Sequence, residues 1–203
     1  TLETHMRMTG SWHLYRAGER WRKPVHLLRC LVEVEGWQAA CFAAPVVRTF
    51  PTAATGTVDD PTAHLGPDLC IEHPDPDEVV ATVVGRLAAL DASTPVGEAL
   101  LDQRVASGVG NVYKSEVCWH ERVDPFAPLA RVDEATRARL VRTAARLLRA
   151  NLGPGRRRTV AEGLAVYGRR GSPCRRCGSA IRSDVRGELA RVTYWCPTCQ
   201  PPA

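Results

Sequence analysis

The spacing of apolar positions changes once along the chain. Up to about residue 50 it follows a period of two: residues 2–8, 11–15, 25–34 and 37–43 alternate or carry β-branched and aromatic side chains, with Gly10, Gly18 and Gly36 between them. A period of two sends successive side chains to opposite faces of a strand, so these runs predict antiparallel strands joined by turns. Glu35-Gly36 predicts a hairpin between the last two. The segment reads as an antiparallel sheet or part of a β-sandwich.

Residues 51–75 break the pattern with Pro51, Pro61, Pro67 and Pro74, and are expected to be a linker. From Pro76 the period becomes helical. Val79, Val80, Val83, Leu87 and Leu90 form one stripe, with Asp77 and Glu78 in the first turn, where they complement the helix dipole. Thr94 and Pro95 predict the cap and first position of a second helix to about Asp102. A third is expected from Asn111 to about Trp119. A fourth, capped by Asp133 and closed by Gly153-Pro154, turns Leu140, Val141, Ala144, Leu147 and Leu148 inward and Arg139, Arg142, Arg146 and Arg149 mostly outward.

The last segment carries metal-ligand spacing. Cys174 and Cys177 form one Cys-x-x-Cys knuckle and Cys196 and Cys199 another, with residues 178–195 between them. Four thiolates placed about 2.3 Å from one centre make a closed tetrahedral Zn²⁺ site, which holds a segment folded and does no chemistry itself. The competing readings are a redox pair, which belongs beside a βαβ pattern, and two disulfides, which belong in an oxidising compartment. Between the knuckles, Arg182, Arg186 and Arg191 among Val185, Val192, Tyr194 and Trp195 read as a basic β-hairpin. Cys30, Cys41, Cys70 and Cys118 lack paired spacing and read as small buried hydrophobes.

The 203 residues carry a net charge of +5, unevenly spread. Arg156, Arg157, Arg158, Arg169, Arg170, Arg175 and Arg176 load the C-terminal third, whereas residues 59–78 are acidic. A run of charge can be a solvated face; beside a zinc hairpin it favours a polyanion. No run of about 18 apolar residues is present, so no membrane helix is expected, and nothing resembles a secretory signal. A reducing cytoplasm, at the nucleoid, is the expected location. Thr1 opens inside an alternating run, and the chain is expected to be N-terminally incomplete.

The turn VASGVGN, residues 105–111, precedes the third helix. A helix N-terminus presents free N–H groups, and glycines let a phosphate approach them. Asn111 and Lys114 stand there as side-chain donors. The same pattern also fits an ordinary helix hairpin.

The order of parts resolves this. LLDQRVASGVGNVYKSEVCW (100–119) resembles the helix-two-turn-helix of the formamidopyrimidine-DNA glycosylase and endonuclease VIII family. VYGRRGSPCRRCGSAIRSDVRGELARVTYWCPTCQ (166–200) resembles its zinc finger, and THMRMTGSW (4–12) its insertion loop. The resemblance implies an α+β fold: residues 1–50 the C-terminal part of an N-terminal β-sandwich domain, 51–75 a linker, 76–165 the helix-two-turn-helix domain and 166–203 the zinc finger, with DNA in the cleft. It implies a base-excision repair glycosylase and AP lyase, acting on damaged or abasic DNA as a monomer with structural Zn²⁺ and no small-molecule cofactor. Asn111, with help from Lys114, would bind a phosphate beside the lesion, and Arg191 another at the hairpin tip. Met8 would wedge into the gap left by the flipped nucleotide, with Arg7 beside it and His5 near a phosphate; ordinary strand packing is the competing reading of Met8 and His5.

The chemistry of this family belongs to an N-terminal proline, the glutamate beside it and a hairpin lysine. None of the three is placed in this sequence; they are expected upstream of Thr1, and the alternative is a damage-sensing protein that binds without cutting. A zinc-ribbon protein of a nucleoprotein assembly would explain the cysteines alone. Arg48, Thr49 and Phe50 do not reproduce the loop that guanine-lesion members insert. Residues 151–165 are too short for those members' capping loop. Both departures favour oxidised pyrimidines.

Overall fold

The computed structural model describes residues 1–7, 9–54, 56–57, 60–153, 155–186 and 191–202. The chain divides into two compact units, Thr1–Ala63 and His64–Ala203.

The described residues of the first unit form five strands. β1 (Leu2–His5) pairs antiparallel with β5 (Val46–Thr49), and Glu3 and Arg48 face each other across that register as an ion pair. β2 (Ser11–Arg16), β3 (Leu28–Val34) and β4 (Trp37–Phe42) form an antiparallel sheet in the order β2-β4-β3. The run expected as a strand from Val25 begins instead with a 3₁₀ turn, Val25–Leu27, because Pro24 cannot donate to a ladder. One face of the sheet buries Tyr15, Ala40 and Phe42 under Trp21, Leu27, Leu28 and Leu31. The other face is apolar too: Trp12 and Cys30 flank Cys41, Leu14 and Val32 flank Ala39, and Arg16 and Val34 flank Trp37. Leu14 and Val34 on it are 64% and 65% exposed.

Among the described residues the second unit is built on four α-helices: α1 (Pro76–Ala88), α2 (Val96–Ala99), α3 (Asn111–His120) and α4 (Glu134–Arg149). Asp75 caps α1 by accepting from the Asp77 and Glu78 amides, and Asp133 caps α4 by accepting from the Thr136 amide at 2.6 Å, each satisfying N–H groups a helix start leaves open. The stripes meet in one core that includes Val83, Leu87, Val109, Val117, Leu140 and Leu147. The second helix is shorter than its pattern suggested. Pro95 is extended and serves as its cap, and the chain leaves the helix after Ala99. α4 ends with Ala150 as its cap, before Gly153; Pro154, part of the expected stop, lies outside the described residues. A second cluster, Trp119, Ala165, Val166, Cys174, Ile181 and Cys196, joins α3 to the antiparallel hairpin β6 (Arg182–Arg186) and β7 (Arg191–Trp195). None of the helices among the described residues is long and apolar enough to cross a membrane.

Candidate nucleic-acid interface

α3 has an open N-terminus and crowded sides. Gly110 caps it with no side-chain bond, so its first amides are left for another acceptor at the positive end of the helix dipole. Gly108 makes the turn possible: its φ is +104°, and a Cβ there would meet Cys70 Sγ at 2.9 Å.

Along one side of α3, three successive residues of β7 are held one by one. Asn111 Nδ2 donates to the Val192 carbonyl at 2.9 Å, Lys114 Nζ to the Thr193 hydroxyl at 2.7 Å, and the Ser115 hydroxyl accepts from the Tyr194 amide at 3.2 Å. Arg191, exposed, begins that strand. Asn111, Lys114 and Arg191 therefore converge, and Lys114 and Arg191 line one small hollow with Glu98 and Phe126.

Lys114 was expected as a side-chain donor near the first turn; its ammonium donates inward to Thr193, and the residue is 3% exposed. Burial pushes its ammonium down to about 8; Cys118 and Glu98 oppose that and Arg191 adds to it. Asn111 spends one N–H on Val192, and its buried Oδ1 has no partner among the described residues.

The cysteine cluster tests directly for a metal. The Sγ atoms of Cys174, Cys177, Cys196 and Cys199 all lie within 4.8 Å of one another, with 3.9 Å from Cys174 to Cys199 and 3.4 Å from Cys177 to Cys196. Thiolates about 2.3 Å from a shared Zn²⁺ stand about 3.8 Å apart, so the donor set fits. Burial pushes the Cys174 thiol up, but the Arg176 amide and the Trp119 indole N–H outweigh it and hold it below its ordinary value. Ser179, through its hydroxyl and amide, brings Cys177 down to about 6. Burial and the neighbouring thiols push Cys199 up to about 12. Four thiolates this close repel one another until a cation sits among them.

In the first unit, His5 is exposed at the end of β1, and Arg7 follows in a tight turn with φ +44°, closed by the Gly10 amide donating to the Met6 carbonyl at 2.8 Å. Met8 lies outside the described residues, as does the side chain of Arg186.

Sequence reasoning missed Glu116 and Trp119. Glu116 is fully buried, and Trp119 is 5% exposed with its indole N–H donating to Cys174 Sγ at 3.3 Å. The only signal was a carboxylate set beside the apolar run Val117-Cys118-Trp119.

A helix N-terminus pegged to a zinc-type hairpin defines a helix-two-turn-helix and zinc-finger protein. Residues 65–160 match the formamidopyrimidine-DNA glycosylase H2TH domain, and residues 171–202 match the zinc finger found in FPG and IleRS. The chain is 39% identical over 206 residues to the Streptomyces coelicolor protein named "Probable endonuclease 8 2", covering 98% of this chain and 72% of that one. It is 38% identical over 205 residues to the DNA-(apurinic or apyrimidinic site) lyase Nei2 of Mycolicibacterium smegmatis, covering 98% and 75%. Its fold superposes on Lactococcus lactis Fpg in complex with abasic-site DNA with a TM-score of 0.79, at 22% identity, covering 98% and 74%. The chain belongs to the formamidopyrimidine-DNA glycosylase and endonuclease VIII family. Its four-cysteine cluster suits the structural zinc of that finger.

Proposed function

We propose that this chain acts in base-excision repair as a DNA glycosylase and AP lyase; its relatives are named endonuclease 8, DNA-(apurinic or apyrimidinic site) lyase and formamidopyrimidine-DNA glycosylase. It takes oxidised bases, pyrimidines in preference, flips them from the stack, cleaves the glycosidic bond and cuts the strand by β-elimination. It works as a monomer at the nucleoid, with structural Zn²⁺ and no small-molecule cofactor. Asn111, Arg191 and the α3 N-terminus take phosphates flanking the lesion, with the Lys114 charge behind them. Met8 takes the gap left by the flipped nucleotide, with Arg7 beside it and His5 near a phosphate.

The observation that carries the reading is the bond from Asn111 to Val192. It holds an open helix N-terminus against the strand that starts at Arg191, so two phosphate-binding devices share one surface. In structural terms this is a backbone clamp, and it gives position without sequence.

Binding of the chain to a duplex with one abasic site, against the undamaged duplex over a range of salt, tests this. The expected result is tighter binding to the abasic duplex, with Arg191→Ala flattening the log–log salt slope by ~0.9, one phosphate contact. Asn111→Ala weakens binding with less change in slope, since its side chain is neutral. Equal affinity for both duplexes would sink the reading. Borohydride trapping on the same duplex, with residues 1–203 alone and with an N-terminally extended form, then separates the chemistry: a covalent adduct shows an attacking amine, and selective binding with no adduct from either assigns the protein to damage sensing.

A further inference from the structure

Glu116 is fully buried on α3, and its carboxylate is met by a single loop. The Thr159 hydroxyl and the Ala165 amide, at 2.8 Å, donate to Oε2, and the Val166 and Tyr167 amides, at 2.9 and 2.8 Å, donate to Oε1. An ionised carboxylate offers about four acceptor positions, and here one loop fills them. Three carbonyls of that loop are held by arginines. Arg175, between the first two zinc-finger cysteines, donates to the Leu164 and Glu162 carbonyls at 3.1 and 3.0 Å, and Arg169 donates to Ala165 and Pro173. Three N–H groups of the loop 159–167 are thus collected by Glu116 of α3, and two of its C=O groups by Arg175 of the zinc finger.

Both ends of the loop lead to the basic surface. Thr159 follows Arg156, Arg157 and Arg158, all exposed. Tyr167 packs at 5.0 Å against Tyr194 of β7, the strand that starts at Arg191. Apolar packing could cover such a loop without taking a charge out of water. A carboxylate instead fixes the direction of each donor, and so selects one conformation.

We propose that Glu116 is a positioning residue for DNA engagement: its carboxylate sets loop 159–167, and through it places the basic run 156–158 and Arg191 relative to the α3 N-terminus. This rests on the reading above that Arg191 meets DNA.

Charge alone and positioning predict opposite signs. Glu116→Gln removes a negative charge from a protein that binds a polyanion, which by electrostatics tightens binding. Positioning predicts the reverse, because a carboxamide turns an N–H₂ towards amides that need acceptors. In the full chain, Glu116→Gln with its zinc content intact is expected to bind the abasic duplex about ten-fold more weakly, with a salt slope shallower by ~0.9. Hydrogen exchange at the Ala165, Val166 and Tyr167 amides speeds up in the same variant. Thr159→Val, which keeps the carboxylate and deletes one donor, should move every readout the same way by less, and it decides the matter if Glu116→Gln does not fold.

Arg191→Ala is measured alongside. Weaker binding in Arg191→Ala, with Glu116→Gln binding as tightly as the parent or tighter, overturns the positioning role and leaves the surface standing. Unchanged binding in Arg191→Ala overturns the surface reading, and this proposal with it.

Discussion

The Lys114 ammonium donates to the Thr193 hydroxyl at 2.7 Å from a side chain that is 3% exposed, so a helix residue and a zinc-finger residue share a buried charge. Burial holds that lysine at about 8, from an ordinary 10.5. Between those values the unfolded chain keeps its proton while the folded chain gives it up, so this group makes the protein more stable as pH rises through the window. Below about 8 the whole cost of burying the charge is present. Lys114→Met should therefore stabilise the protein at pH 7 by ~2 kcal/mol: ~3 from the relieved charge, less ~1 for the orphaned hydroxyl. The gain should fade towards pH 10.5. Urea unfolding of both proteins at pH 7, 9 and 10 measures it, and a difference that does not change with pH would contradict the assignment.

Cys196→Ser should release zinc and unfold the hairpin while sparing the helices. The cluster around Cys174 and Cys196 is separate from the helical core around Val83, Leu87 and Leu140, so losing the metal removes one and leaves the other. Without the hairpin Arg191 has no fixed place, and affinity for the abasic duplex should drop at least about ten-fold. Metal analysis, helical circular dichroism and binding together read this. Zinc-free protein that binds as tightly as the parent would show that the hairpin does not place Arg191.

What the sequence revealed and what it hid have one physical cause. The cysteine knuckles were legible because metal coordination fixes residue type and spacing together, and the strands and the α4 stripe because one buried face leaves a period. α3 has no such period. Tyr113, Val117 and Cys118 face the helical core, Lys114 and Ser115 face the zinc-finger hairpin, and Glu116 faces the loop 159–167, all of them buried. A helix enclosed by two partners, one of them polar, reads in sequence like a helix with a solvated side. Lys114 therefore suggested a phosphate donor at the helix start, and Glu116 suggested nothing.

The two glycines before α3 should respond differently to alanine. Gly108 sits at φ +104°, where an added Cβ would meet Cys70 Sγ at 2.9 Å and Leu148 Cδ1 at 3.4 Å. Strain and crowding together should cost ~2 kcal/mol and shift the α3 N-terminus, weakening DNA binding as well. Gly110 is extended and has nothing within 4 Å of its Cβ position, so Gly110→Ala should cost under ~1 kcal/mol, the loss of a good cap residue. Thermal unfolding of the two variants makes the comparison. Equal losses would mean that the turn does not depend on Gly108.

Trp119 links the helix to the metal site through one hydrogen bond that can be removed alone. Its indole N–H donates to Cys174 Sγ at 3.3 Å, while the Arg176 guanidinium stacks 3.9 Å from the ring centroid and donates to the Trp119 carbonyl at 3.0 Å. Trp119→Phe keeps an aromatic face for Arg176 and deletes the donor. The Cys174 thiol then loses one of the groups that favour its ionised form, so its pKa rises and protons compete better with zinc. Affinity for zinc at pH 7, measured by chelator competition, should fall by about ten-fold, the lower end of the range for groups that orient a metal ligand. The deficit should shrink as pH rises and the thiol ionises without help. If it keeps the same size from pH 6 to 9, the loss comes from packing around the smaller ring, and the hydrogen bond to Cys174 contributes nothing to holding the metal.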